Sequence, residues 1–591
     1  MPDILESRNV AAAAVLAAGA TVVCAYYVYG VWSRRRRNKK LRAVVLGKRK
    51  EREDAIQKLQ QRLAEIAQTN KARMRKLSIR KHPREIRRLT MDKLIEGLQN
   101  DTYTPVEVVR AYQEAALLAH ARTNCVTEFL LEAEEQAQEL QEQYGGKSNK
   151  PPLYGIPFSI KCCFGVAGHE LCRGYVQDIG EKVERDCVLV ASLKELGAIP
   201  ITMTNLPQTM LSYTCSNPVF GQTTNPFERE RTCGGSSGGE AALIALDGAV
   251  FGLGTDVAGS IRMPAHFCGI VGLKPSSLRL SLVGLKSSVP GRQMIHGSDG
   301  PMARNVDTIV TFCKHVFSRQ MYEKDPYLPP LGFNEQLYKS EQPLTIGFYV
   351  YDGWFDVVPS CARAVELAKD ALEKRGHKLV PFWPPDVPEI VRCGFGALLT
   401  DQGQYLLKSV DNDLVEPYHK HFYDYYRTPI WLRRLVARFL PERPRLFRHW
   451  LTAKSQCELR EIYVSMAEFK RNFFEAWTAA GLDCVLCPAL FTAALPHHYP
   501  MQIVPGWSHT MLYNVLDYAA GVVPCTAVTK EDEAKCKTEY PIRDNYSRLT
   551  QKANSFGSIG LPVGVQCVAL PYREEICLRL MKEVENGLKP D

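Results

Sequence analysis

Apolar and polar positions fall into two regimes along this chain. From about residue 91 onward, helical patterns such as Val106–Ala121 and Ala133–Tyr144 precede short apolar runs bounded by Gly and Pro, among them Gly155–Ile160, Ala198–Met203 and Val485–Ala489. Strands alternating with helices predict an α/β body of layered sheet and helix. Upstream the pattern is different. Val10–Trp32 is a run of 23 residues without a charge. As a helix it would be roughly 34 Å long, against a bilayer core of about 30 Å. Tyr26, Tyr27, Tyr29 and Trp32 gather at its C-terminal end, where amphipathic rings favour the membrane interface. Between residues 50 and 90 the chain reads as a basic helix. Ile56, Leu59, Leu63 and Ile66 form one apolar stripe, too short for a coiled coil and suited to packing on the main body.

Charge sharpens this division. Residues 34–90 carry 22 Lys/Arg against five acids, and residues 1–33 sum to −1, so the remaining 501 residues of a chain with net charge +10 sum to about −6. The basicity is local, which removes most support for a nucleic-acid-binding protein. The run SRRRRNKK follows the apolar stretch directly, and positive charge there predicts a single-span anchor with the C-terminal body in the cytosol. A cleaved signal peptide would carry its positive charge before the apolar run. The other arginines and lysines of the segment are suited to anionic headgroups. With 45% hydrophobic and 23% charged residues, the chain is neither disordered, collagen-like nor polytopic. Its 19 cysteines are odd in number and irregularly spaced, the usage of reduced thiols. Cys484 and Cys487 have metal or redox spacing but lie in an apolar run with no second pair, so they read as core thiols. No metal and no cofactor is expected.

The chemistry is concentrated in CGGSSGGEAALIALDGAVFGLGTDVAGSIRMP, residues 233–264. A Gly-Ser loop leads into an Ala-rich helix over Glu240–Leu246, yet neither the Lys-Ser/Thr of a P-loop nor a GxGxxG follows, so phosphate binding loses its footing. A second glycine-rich turn, Gly254–Ser260, has small residues whose successive N–H groups can converge on one oxyanion.

These residues resemble the amidase-signature family of serine hydrolases, whose long signature fits from Gly235 to Ala265, including Asp256, Ser260, Ile261, Arg262 and Pro264. The upstream run Tyr154–Lys161 matches the family's strand and lysine. The resemblance implies Lys161 as general base, Ser236 as relay and Ser260 as nucleophile. The N–H groups of Val257, Ala258, Gly259 and Ser260 would form the oxyanion hole, with Ser237, Asp256 and Arg262 in support. A serine attacks only as a base takes its proton, and a lysine serves as that base only when burial leaves it neutral.

Within the family the chain is most similar to the fatty acid amide hydrolases, through PLYGIPFSIK, TNLPQTMLSYTCSNPVFGQT, GLKPS, GPMAR and SIGLPVGVQCVALP. That resemblance implies a twisted mixed central sheet covered by helices and a membrane-attached homodimer acting on long-chain fatty acid amides. It places Met210, Leu211 and Tyr213 near the acyl chain and Ser236 at the substrate. The expected organisation is an anchor over 1–33, a basic membrane-proximal segment over 34–90, and a catalytic domain over 91–591 on an intracellular membrane, the endoplasmic reticulum or a related endomembrane.

Residues 414–451 fall where the family has a membrane-inserting cap. There Trp431, Leu432, Leu435, Val436 and Phe439 share one helix face, with Arg433, Arg434 and Arg438 mostly elsewhere. A buried amphipathic helix with solvated arginines is the alternative. Two departures stand out. The family's cap is more apolar than one preceded by His419, His421, Tyr423, Tyr425 and Tyr426, and Ala258 stands where a glycine is usual. Rival functions are an acyl ester hydrolase of the same fold and a non-catalytic membrane partner. An aminoacyl-tRNA amidotransferase subunit fits the basic anchor poorly.

Overall fold

An eleven-stranded mixed sheet runs through the body of the computed structural model, which describes residues 32–66, 68, 83–441, 443 and 455–589. Its strands and one small hairpin are, in chain order, β1 (Val126–Phe129), β2 (Pro157–Lys161), β3 (Ile199–Thr204), β4 (Ser216–Asn217), β5 (Gly221–Gln222), β6 (Phe251–Asp256), β7 (Val271–Lys274), β8 (Ser298–Ala303), β9 (Thr345–Phe348), β10 (Lys378–Pro381), β11 (Cys484–Pro488), β12 (Ala519–Ala527) and β13 (Pro562–Ala569). The main sheet has the order β1-β3-β2-β6-β8-β7-β12-β13-β11-β9-β10, with β4 and β5 paired apart from it. β2 runs parallel to both β3 and β6, while β6 pairs antiparallel with β8. Every residue of β2, β3 and β8 is buried.

The predicted elements lie where the periodicity placed them, with shifts at their ends. The helix expected over Val106–Ala121 spans Pro105–Thr123, opened by a reciprocal Thr104/Glu107 capping box with Pro105 in the first turn. The helix over Ala133–Tyr144 has the expected bounds. The strands predicted at 155–160, 198–203 and 485–489 become β2, β3 and β11. Cys484 and Cys487 are buried on β11.

Residues 32–66 are helical. Ile56 and Leu59 are buried in a cluster with Leu117, Ala119 and Phe129, so this part of the stripe packs on the body. Several of its basic residues are also turned to protein. Arg62 shares Glu134 with Arg110, Arg49 Nε donates to the Val219 carbonyl at 2.6 Å, and Arg52 Nη1 to that of Val126 at 3.1 Å. These three arginines are committed to the body, unlike the exposed Arg34, Arg35 and Arg36. Among the described residues no helix is long and apolar enough to cross a membrane. The span predicted at 10–32 lies, except for Trp32, outside those residues.

The cap segment reverses the usual amphipathic arrangement. In the helix Ile430–Ala437 and the turn after it, Trp431 is 67% exposed and Phe439 83%, with Leu435 and Val436 also exposed. Arg433 is buried, its guanidinium 5.0 Å from the Tyr425 ring centroid and 5.6 Å from that of Tyr426. The alternative of a buried apolar face with solvated arginines does not describe this helix. His419, Tyr423 and Tyr426 also face the body, where Tyr423 packs with Tyr175, Leu406 and Val410. The polar rings that distinguish this cap are thus largely turned inward, though His421 is exposed.

Candidate active site

Three neighbouring elements converge on Lys161. β2 delivers it at its C-terminal end, fully buried. The Gly-Ser loop brings Ser236 and Ser237 to the start of the helix Gly238–Ala245, across a cis Gly235–Ser236 peptide. β6, parallel to β2, contributes Thr255. Lys161 Nζ lies 2.6 Å from Ser236 Oγ, 3.1 Å from Ser237 Oγ and 2.8 Å from Thr255 Oγ1. Among the described residues no carboxylate pairs with it. A neutral amine has two N–H donors and one lone pair, a valence that three hydroxyls satisfy. Burial pushes the lysine pKa below its usual value.

Beyond β6 the chain turns through Val257, Ala258, Gly259 and Ser260 into the helix Arg262–Cys268. Asp256 holds that turn. Its Oδ1 accepts from Gly259 N at 2.7 Å and its Oδ2 from Ile261 N at 3.0 Å, while Arg262 donates to both oxygens. Asn514 Nδ2 adds a bond to Oδ1 at 2.9 Å. Burial alone would raise the carboxyl, but the Arg262 guanidinium and the donors around it leave its pKa well below the usual range. Gly259 has φ +120°, and a Cβ there would come within 2.3 Å of Thr510 Oγ1, so the position requires glycine.

One expectation changes here. The Gly259 amide is committed to Asp256 rather than open to an oxyanion, because the short turn aims it back at the carboxylate. The amides of Val257, Ala258 and Ser260 are not bound to that carboxylate. Ser237 N donates to the Ser260 carbonyl at 3.1 Å, fixing the two loops to each other.

Two hollows meet at Ser260. A cavity of about 270 Å³ is lined by Ser236, Thr255, Val257 and Ser260, and also by Lys286, Arg292 and Asp299. A cleft of about 20 Å³ is lined by Met210, Leu211, Tyr213, Ala258, Leu398 and Trp507, with Ser260 at its rim. Met210 and Leu211 border both hollows, while Tyr213 is buried with its hydroxyl donating to the Ile503 carbonyl at 3.2 Å. Ala258 therefore narrows the apolar side, where a glycine would leave room for a methyl group. Ser236 and Ser260 share the larger cavity, and no hydrogen bond joins their hydroxyls in this conformation. Such contacts commonly tighten only with substrate bound.

Two participants escaped the sequence reading. Thr255 is the lysine's third hydroxyl, and its place beside Asp256 in the second glycine turn was the available signal. Glu240 is fully buried beneath the loop, accepting from Ser159 Oγ at 2.5 Å and Thr204 Oγ1 at 2.6 Å, and burial raises its pKa to about 8. Among the described residues no group of His, Cys, Asp and Glu is arranged to hold a metal ion.

The amidase family profile matches residues 107–578. The chain is 44% identical over 504 residues to "Fatty acid amide hydrolase 1" of Caenorhabditis elegans, covering 84% of this chain and 88% of that protein. It is 41% identical over 508 residues to "Fatty-acid amide hydrolase 1" of Sus scrofa, covering 85% and 86% respectively. A solved structure, "Fatty acid amide hydrolase", superposes with TM-score 0.75 at 24% identity over 93% of this chain and 95% of that one, a likeness of fold.

Proposed function

The chain belongs to the amidase family and is an amide-hydrolysing enzyme, and on that premise we propose that it cleaves long-chain fatty acid amides at a membrane through a Lys161–Ser236–Ser260 triad. The observation that carries this reading is Lys161 itself, fully buried among three hydroxyls and paired with no carboxylate among the described residues. In that setting the neutral amine takes the Ser236 proton while Ser236 takes that of Ser260. Ser260 Oγ then attacks the amide carbonyl carbon. The oxyanion faces the Val257, Ala258 and Ser260 amides, and Gly259 joins them only if its bond to Asp256 loosens.

Collapse of the tetrahedral intermediate breaks the C–N bond, and the proton returns from Lys161 through Ser236 to the departing nitrogen. Amide cleavage depends on this return more than ester cleavage does, because an amide anion is a poor leaving group. Water, deprotonated along the same relay, attacks the acyl-enzyme ester and releases the fatty acid and free Ser260. The apolar cleft suits the start of the acyl chain, and its small volume requires the side chains of Met210, Leu211 and Leu398 to move apart for a full-length chain.

The membrane reading draws support from the outward Trp431, Leu435, Val436 and Phe439, and from the uncharged run at 10–32 followed by its basic segment. A cytosol-facing catalytic domain on an endomembrane and a homodimer complete the proposal, the latter resting on family resemblance alone. The test is fatty acid released from oleamide and an N-acylethanolamine by the full-length chain, beside Ser260→Ala. Release by wild type that disappears in the variant is the expected result. Absence of release from folded wild type would overturn the fatty acid amide assignment.

A further inference from the structure

Asp299 has no role in the chemistry above, yet it lines the cavity that contains Ser236 and Ser260. It stands on β8 directly opposite Thr255 in the antiparallel β6–β8 ladder. Opposed residues of such a ladder project from the same face of the sheet, with Cβ atoms about 4.5–5.5 Å apart. Thr255 uses that face to reach Lys161, so the Asp299 carboxyl belongs to the same face of the catalytic centre. Asp299 is 1% exposed, and neither of its carboxyl oxygens has a hydrogen-bond partner among the described residues. A buried, unpartnered carboxyl on a cavity wall is costly to the free protein, and a ligand that supplies the missing bond offsets that cost.

The position of Asp299 identifies which part of a substrate it meets. The two hollows share Met210, Leu211, Val257 and Ser260, and the larger one carries Lys286, Arg292 and Asp299 beside the apolar Leu282, Leu285, Val289 and Pro290. The cleft has no charged side chain and suits the acyl chain, whereas alkane against Asp299 would seal its carboxyl from water without a replacement hydrogen bond. The amine half of the amide therefore enters the larger hollow. Charge narrows the chemistry further. Lys286 is paired with Asp178 at 2.9 Å, while the Arg292 guanidinium donates to Ser287 Oγ and the Val289 carbonyl and has no ion pair among the described residues. A cationic amine half would be repelled by this wall. Burial pushes the Asp299 carboxyl pKa above its usual range, and a carboxyl with two unpartnered oxygens can accept from a hydroxyl in either protonation state. Its complement is a hydroxyl.

We propose that Asp299 is a specificity-determining residue that hydrogen-bonds a hydroxyl carried on the departing amine. This rests on the amide-hydrolase reading of the same site. The experiment compares kcat/KM for N-(2-hydroxyethyl)oleamide and N-propyloleamide, which differ by a hydroxyl in place of a methyl group. It uses full-length wild type, Asp299→Asn and Asp299→Leu. Wild type favours the hydroxyethyl amide by about tenfold or more, since the methyl leaves the buried acid unpaired. Asp299→Asn, which still accepts, keeps that preference, and Asp299→Leu reduces the ratio to within about twofold of unity.

A wild-type ratio near one overturns the proposal without any variant having to fold, as does a wild-type ratio retained in Asp299→Leu. Fluorophosphonate labelling of Ser260 verifies that the leucine variant keeps a formed site. Wild type active on both amides with no preference refutes the Asp299 assignment alone. Wild type inert on both overturns the fatty acid amide reading, and the hydroxyl subsite with it.

Discussion

At the scale of single residues, the proposed mechanism requires a lysine that can give up its proton. Burial lowers the Lys161 pKa from its ordinary value, and the three hydroxyls around its nitrogen can bond to either protonation state. The sign of the pH dependence follows. The base is competent above its pKa, so kcat/KM rises with pH through that value, and a depressed pKa extends activity toward lower pH. Thr255 offers an acceptor that favours the ammonium. Thr255→Val removes it, and the acid limb of the kcat/KM profile moves to lower pH while its plateau drops through looser positioning of the amine. An acid limb moving upward would show that the hydroxyl chiefly stabilises the neutral amine. Lys161→Ala is expected to lose about 10²- to 10⁴-fold in rate across the whole profile.

At the scale of elements, the cap helix is the informative case. Its periodicity shows an apolar face but carries no statement of what covers that face. In the folded chain Arg433 stacks inward on Tyr425 and Tyr426 while Trp431 and Phe439 stand in the open. Side chains already exposed contribute little to folding, so the double variant Trp431→Ser, Phe439→Ser leaves the melting temperature near that of wild type. Partitioning onto phosphatidylcholine vesicles, measured by sedimentation with residues 1–33 deleted, falls about tenfold because two aromatic side chains no longer enter the interface. Unchanged partitioning with those aromatics gone would place the membrane contact elsewhere. The helix over 32–66 makes the complementary point. Its apolar stripe at Ile56 and Leu59 is covered by the body, and Arg49, Arg52 and Arg62 turn to carbonyls and Glu134 rather than outward.

At the scale of the whole molecule, the turn that carries the proposed nucleophile Ser260 is held by groups drawn from across the chain. Arg262 joins Asp256 to the Thr510 carbonyl, to Gln566 Oε1 at 2.7 Å and to Asn514, tying the signature segment to the helix Ser508–Val515 and to β13. Asp256 and Arg262 are both fully buried, so breaking the pair leaves an uncompensated charge. Asp256→Asn is expected to cost about 3–5 kcal/mol in urea unfolding. The pH dependence follows from the lowered folded-state pKa. The stabilisation from Asp256 is present above the ordinary aspartate value and lost as pH falls through the depressed one, whereas the asparagine variant lacks that dependence.

The sequence by itself determined the local segments from which the candidate site is built. Lys161, Ser236, Ser237, Asp256 and Ser260 occupy short segments whose glycines and serines prescribe tight turns and close backbone approach, and helix and strand periodicity located the surrounding elements to within a few residues. Those properties are encoded by neighbours in the chain. Only the tertiary structure decided which distant groups complete the site. Thr255 reaches Lys161 because β6 lies beside β2, and Asp299 faces the cavity because β8 pairs with β6 in one register. Asn514 and Gln566 meet Asp256 and Arg262 across separations of about 250 to 300 residues, which no local pattern reports. The cap's outward apolar face was likewise undetermined by its sequence, because an amphipathic pattern specifies two faces and leaves to packing which of them meets the protein.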